Sequence, residues 1–247
     1  DPLDYLRILE EMEKSGNDIS RETKYELARK VFLHTARYDS IISNYLDGME
    51  EEDMKVRFPG ILTLQLEKVQ NLRYGENPHQ QAAFYREFNI REPSVSKARQ
   101  IQGKELSFNN ILDANSALEL AKEFEETVSV IIKHNNPCGV ACADSPGEAF
   151  KKARESDPIS AFGGVVAFNR VVDLDAAREL TSTFLEVIIA PGFAKEALDE
   201  LKKKKDLRLL DIGASVSGIR EGMDMKKVAG GLLLQDRDIG MVDSVKR

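Results

Sequence analysis

From Val128 onward the chain alternates apolar runs of strand length with stretches of helical periodicity, and this rhythm limits its possible folds more than any other feature. Val128–Lys133 is an apolar run of the kind found in strands buried on both faces. Helical spacing follows near 145–155, a strand near 163–168, a helix near 173–183, a strand over 186–190, a helix over 193–204 and a strand over 207–211. Upstream, Ile111, Ala114, Leu118 and Ala121 form the apolar stripe of a helix over 110–126. Leu62, Leu64 and Leu66 share one face of a strand over 61–67, and a short strand sits near 82–85. Strand, helix, strand at this pace predicts an α/β layered fold with a largely parallel sheet. Ligands of such sheets bind beyond the carboxyl ends of the strands.

The first part of the chain follows another pattern. Residues 3–14 and 20–46 read as helices, separated by the turn signal Ser15-Gly16-Asn17-Asp18. Ser20 is placed to cap the second, in which Leu27, Val31, Thr35 and Tyr38 recur at three- and four-residue spacing. The acidic loop Gly48–Asp53 and the Pro59-Gly60 pair then mark a change of style, predicting a helical segment over 1–56 and an α/β subdomain over 57–247. Asp1-Pro2-Leu3 opens the chain without methionine and Val245-Lys246-Arg247 ends it without a stop signal, so a fragment of something longer is expected. No apolar run approaches the length of a membrane span. A net charge of −7 argues against a general nucleic-acid binder but leaves room for a small phosphorylated ligand held by one or two cations. Cys138 and Cys142 lie too close in sequence to frame a disulfide scaffold, which points to a reduced, cytoplasmic setting.

Five segments carry groups with chemistry, each with a structural alternative. Lys133 and His134 end a buried strand before Asn135-Asn136-Pro137 turns the chain; a histidine takes a proton near neutral pH and a lysine supplies charge for an oxyanion. The pair also reads as a solvated strand end followed by a turn residue. Arg73 offers a planar fork for phosphate and Tyr74 a flat face with a hydroxyl, on a loop whose Gly75 permits close approach; the alternative is a polar loop feeding the next strand. Asn109 and Asn110 open a helix, where one caps it and the other has donor and acceptor to spare for an amide. Phe162 could stack on a flat ring beside Gly163 and Gly164, or the segment is only a turn into a strand. Glu186 sets an acid at an apolar strand, where pairing with a lysine is the structural reading. His34, mid-helix, reads as packing, and Lys202–Lys205 as a solvated helix end.

Taken together and in order, Leu72–Gln80, Gly103–Ala114, Val130–Val140, Asp157–Asn169, Glu186–Gly192 and Gly230–Gly240 resemble a family of bifunctional purine-biosynthesis proteins. These join a formyltransferase acting on 5-aminoimidazole-4-carboxamide ribonucleotide (AICAR) to an inosine monophosphate cyclohydrolase. The resemblance implies a cytidine-deaminase-like α/β subdomain, the first of two, with 1–56 linking it to the cyclohydrolase domain. It implies Lys133 and His134 as the catalytic pair, Arg73, Tyr74, Asn110 and Glu186 as substrate contacts, and Phe162 and Gly163 as folate contacts. It further implies 10-formyltetrahydrofolate as co-substrate, no metal, a homodimer with sites shared across its interface, and ligand-binding residues beyond position 247. Asp1 would match a functional aspartate of the cyclohydrolase. Two other readings stand beside it. One is an inactive scaffold or oligomerisation fragment. The other is a zinc deaminase, which His134, Cys138 and Cys142 suit poorly: Asn136 stands where that site needs a glutamate, and the cysteines are spaced one residue too far apart.

Overall fold

The structure, a computed structural model, describes residues 1–47, 58–88, 90–213, 216 and 222–240. The acidic loop, the expected boundary at 56/57 and the closing Val245-Lys246-Arg247 lie outside the described residues. The chain forms two compact units, residues 1–66 and 67–247.

In the first unit a 3-10 turn over Pro2–Asp4 leads into α1 (Tyr5–Ser15), and α2 spans Arg21–Asp47. Gly16 ends α1 in the left-handed region, φ 74°, where the absence of a Cβ removes the steric penalty. The Ser20 hydroxyl accepts the Thr23 amide at 3.1 Å, the cap that the sequence predicts. Glu11 of α1 accepts from the Ser20 amide and the Thr23 hydroxyl, tying the two helices at the turn.

Apart from Leu66, the first residue of β1 (Leu66–Leu72), the second unit holds β1, β2 (Ala82–Glu87), β3 (Arg99–Gln102), α3 (Phe108–Ala121), β4 (Val128–Lys133), β5 (Asn136–Cys142), α4 (Pro146–Ser156) and α5 (Pro158–Ala161). It continues with β6 (Gly164–Phe168), α6 (Leu174–Thr181), β7 (Leu185–Ala190), α7 (Lys195–Leu201), β8 (Arg208–Asp211), β9 (Met223–Val228) and β10 (Gly231–Asp236). β1 pairs with β2, β9 with β10, and the remaining six strands form one sheet in the order β3-β8-β7-β6-β4-β5. One face of that sheet packs Ile131, Val166, Ile188 and Leu209 against α4, α6 and α7, through Phe150, Ala176 and Leu201. The other packs Val130, Ile132, Val165 and Val187 against Ala114, Ala117, Leu118 and Ala121 of α3. Small residues on α3 let the helix lie close to the strands, and the helices on both faces explain the apolar runs of β4, β6 and β7.

Several expectations are corrected. The α/β layering holds, but the sheet is mixed: β6, β7 and β8 run parallel, while β4 opposes β6, β5 opposes β4 and β3 opposes β8. A two-residue loop after β4 can only return the chain antiparallel, whereas α6 and α7 provide the crossovers that parallel strands need. The turn lies at His134-Asn135, not at Asn-Asn-Pro: Lys133 pairs with Asn136 and Pro137 sits inside β5. A proline is tolerated there because β5 is an edge strand with a bulge. The strand expected over 61–67 begins at Leu66, where β2 supplies a partner and Arg86 binds Glu67 at 2.8 Å. The helix expected to reach 126 stops at Ala121, since the Asn169 amide captures the carbonyls of Phe124 and Glu126 and Arg170 that of Glu125.

Candidate active site

Segments far apart in sequence meet at one rim of the six-stranded sheet. β4 leaves the core at Lys133, one residue beyond the Ile132–Val165 pair, beside the start of β6. The Lys133 Nζ donates to the Phe162 carbonyl at 2.5 Å. Gly163 is left-handed, φ 74°, and its amide donates to the Phe184 carbonyl at 2.8 Å. A Cβ there would stand at ordinary contact distances, 3.5 Å from the Phe184 ring and 3.9 Å from the Lys133 Nζ, so the left-handed backbone rather than lack of room calls for glycine. Phe162 and Phe184, both exposed, pack ring to ring at 5.3 Å and 44°. Asp157 caps α5, and hydrogen bonds from Ser160, helped by the nearby Lys133 charge, hold its carboxyl below the usual range. Burial pushes the Cys138 thiol up, Asp157 adds to that, and Lys133 opposes it.

Beyond Lys133 the chain reverses through His134 and Asn135, with φ of 53° and 61°. Two left-handed residues in a two-residue loop are the signature of a type I′ hairpin. Asparagine tolerates that conformation; for most residues it costs about 1–2 kcal/mol. His134 is exposed at the tip. Its carbonyl accepts from the Asn136 Nδ2 at 2.9 Å. The Asn135 amide donates to Asp113 Oδ1 at 2.7 Å, and the Ser116 hydroxyl donates to Asn135 Oδ1 at 2.5 Å.

The second part of the rim is built around Glu186. Gly164 pairs with Leu185 and Val165 with Val187, leaving Glu186 as the extra residue of a bulge. Bulges re-aim side chains and gather beside functional sites. Glu186 Oε2 accepts from Asn110 Nδ2 at 2.7 Å and lies 4.0 Å from Arg208 Nη1. The partner is thus an amide and an arginine, not the lysine expected from sequence. Asn110 is buried at 3% exposure, and its side-chain oxygen accepts the Ser107 amide at 3.2 Å while its own amide donates to the Ser107 hydroxyl at 3.1 Å. Ser107, rather than an asparagine, caps α3, and Asn110 closes the reciprocal capping box. A second bulge leaves Cys138 between the Ile131–Gly139 and Ile132–Pro137 pairs.

The rim therefore joins the carboxyl end of β4 to the amino ends of β6, β7 and β8. The candidate residues thus gather at the carboxyl end of β4 but the amino ends of the parallel strands, because β4 runs antiparallel to β6. Six of the sequence-selected residues, Lys133, His134, Phe162, Gly163, Asn110 and Glu186, lie along it. Arg73 and Tyr74 follow β1 and contact each other, with Nη2 donating to the phenol oxygen at 3.2 Å and the guanidinium 4.9 Å from the ring centroid. Among the described residues no hydrogen bond or ion pair joins them to the rim. Sequence reasoning missed Phe184, Arg208, Asp113 and Ser116. Asp113 and Ser116 stand three apart on α3, a spacing visible in sequence but hidden by attention to the apolar stripe. Among the described residues no three His, Cys, Asp or Glu side chains gather as a metal would need, and no helix is long and apolar enough to cross a membrane.

Comparison with known proteins places the chain in a wider group. The family model described as the AICARFT/IMPCHase bienzyme matches residues 1–246. The chain is 50% identical over 238 residues to the bifunctional purine biosynthesis protein PurH of Thermoanaerobacter sp., covering 96% of this chain and 45% of that protein. It is 51% identical over 241 residues to the protein of the same name from Caldicellulosiruptor saccharolyticus, covering 96% and 46%. With that of Magnetococcus marinus it shares 50% over 242 residues, covering 97% and 46%. The chain spans about half the length of the curated relatives it matches.

Proposed function

Because the chain belongs to the AICARFT/IMPCHase bienzyme family, we propose that it supplies part of a formyltransferase site in purine biosynthesis. The reaction moves a formyl group from 10-formyltetrahydrofolate to the 5-amino group of AICAR. The observation that carries this reading is the meeting of Lys133 and His134 with Phe162, Gly163 and the Asn110–Glu186 pair at one rim. In the same reading the subdomain is cytidine-deaminase-like, the enzyme is a cytoplasmic homodimer, and a cyclohydrolase activity belongs to the bifunctional whole.

The chemistry follows from what the acceptor lacks. The lone pair of the 5-amino group is delocalised into the imidazole and the neighbouring carboxamide, so the amine is a poor nucleophile. Positioning and proton removal are what a protein can add. Arg73 anchors the phosphate, with Tyr74 beside it. Asn110 and Glu186 offer a donor and an acceptor to the carboxamide, and Phe162 with Gly163 forms a flat, open seat for the folate ring. As the amine nitrogen bonds to the formyl carbon, His134 takes its proton, directly or through the carboxamide. Lys133 balances the negative charge on the formyl oxygen. The bond to the folate N10 then breaks, and N10 leaves with a proton in place of the formyl group. His134→Ala in the complete enzyme is expected to lower turnover by about 10²–10⁴-fold while nucleotide affinity stays nearly unchanged, as steady-state kinetics would read. Turnover retained by that variant would remove His134 from the mechanism.

A further inference from the structure

We infer that Asp113, assisted by Ser116, is a positioning residue that fixes the His134 turn, an inference that rests on the formyl-transfer reading above. The starting point is conformational. Neither residue of the turn is glycine, yet both are left-handed. Non-glycine residues are uncommon in that region, although histidine and asparagine enter it more readily than most, so a turn built from two of them gains from outside support. In a two-residue hairpin loop the amide of the second residue has no partner in the ladder, which leaves the exposed Asn135 N–H to water or to a group outside the loop.

It finds one on α3. Asp113 Oδ1 accepts that amide at 2.7 Å, a charge-assisted bond, and the Ser116 hydroxyl binds the Asn135 side chain at 2.5 Å. Ala114 and Ala117, beside them on the helix, are fully buried against the sheet, so the support is rigid. Asn136 holds the His134 carbonyl from the other side. None of these bonds uses the imidazole. The backbone that carries His134 is clamped while its ring stays available for proton transfer. Asp113 is half-buried and makes no ion pair among the described residues; the turn amide is its hydrogen-bonded partner. A carboxylate placed in this way acts through the turn and does not itself touch the reacting atoms.

The test compares Asp113→Ala, Asp113→Asn and His134→Ala in the complete enzyme, with kinetics, thermal melting and exchange of the Asn135 amide followed by NMR. Asp113→Ala is expected to lower kcat by about 10–100-fold, the effect of a misplaced catalytic group, with KM for the nucleotide unchanged. The Asn135 amide should exchange faster while melting stays at the parent temperature. Asp113→Asn keeps an acceptor oxygen and should restore both kcat and protection. If Asp113→Ala unfolds the protein, Ser116→Ala, which removes the second bond alone, should give the same kcat-only loss in smaller measure. The inference is overturned if neither variant lowers kcat, if the loss falls on KM, or if the asparagine variant fails to rescue. His134→Ala separates the two levels. An inactive His134→Ala beside a fully active Asp113→Ala sinks the positioning role alone, whereas an active His134→Ala sinks the formyl-transfer reading and this role with it.

Discussion

Glu92 shows how much a single residue can depend on partners far along the chain. It is 9% exposed and accepts from Lys122 Nζ at 2.5 Å and from Arg237 Nη1 at 2.7 Å. Lys122 and Arg237 also bind Glu119, so two carboxylates face two cations. Burial on its own pushes the Glu92 carboxyl up, but the hydrogen bonds and charges of Lys122 and Arg237 outweigh it and hold the group below the usual glutamate range. A depressed carboxyl contributes stability that is present above the unfolded value, about 4.3, and is lost as pH falls through the lower folded value. Melting temperature is therefore expected to drop on acidification below about pH 4 to 5, and Glu92→Gln should flatten part of that dependence. At neutral pH the same substitution should cost about 1.5–3 kcal/mol, because Lys122 and Arg237 exchange one charged hydrogen-bond partner for a neutral one while keeping Glu119. Thermal melts of both proteins across the acid range check this, and parallel curves would show that Glu92 is not the group responsible. Nothing in the local sequence announces this network, since Glu92 and Arg237 are 145 positions apart. Lys133 and His134 could be picked out by type and place; the carboxylate that holds their turn could not, because its role exists only once α3 lies beside the hairpin.

Among the elements, those with an apolar repeat of their own could be read before folding. The sequence ranges for α4, α6 and β7 fall within two residues of the observed ones, because burial on a helix stripe or a two-faced strand writes a local period. β5 could not be read that way. Its Pro137 and Gly139 suggest a turn, and only the edge position and the bulge make a strand of them. Gly139 shows what the strand requires. A Cβ there would lie 2.1 Å from the Ala153 carbonyl oxygen of α4, a contact with backbone that no rotamer change relieves. Gly139→Ala is expected to cost about 3 kcal/mol, seen as a lower denaturation midpoint with unchanged slope. An unchanged midpoint would mean that α4 and β5 can part freely. Strand direction was likewise beyond sequence reading, since a buried strand has the same composition whichever way its neighbours run.

On the scale of the whole molecule, no hydrogen bond or ion pair among the described residues joins the rim to the Arg73–Tyr74 loop, and the proposed function predicts that one ligand engages both. Calorimetric titration of the chain with AICAR should give saturable binding that Arg73→Ala weakens by about 10–100-fold, the worth of a charged contact to phosphate. Binding by the complete enzyme that Arg73→Ala leaves intact would take the phosphate away from Arg73. The mixed sheet has one more consequence. Lys133 and His134 ride on the outermost pair of strands, where β5 is flanked by β4 alone and Pro137 withholds a donor from the open side. Groups hung on such a margin can be approached from outside without prising the ladder apart, and neither His134 nor Asn135 belongs to either layer of packing. If the proposed function holds, reactivity and foldability are thereby uncoupled, and this scaffold can have its chemistry rewritten at the hem without being unpicked.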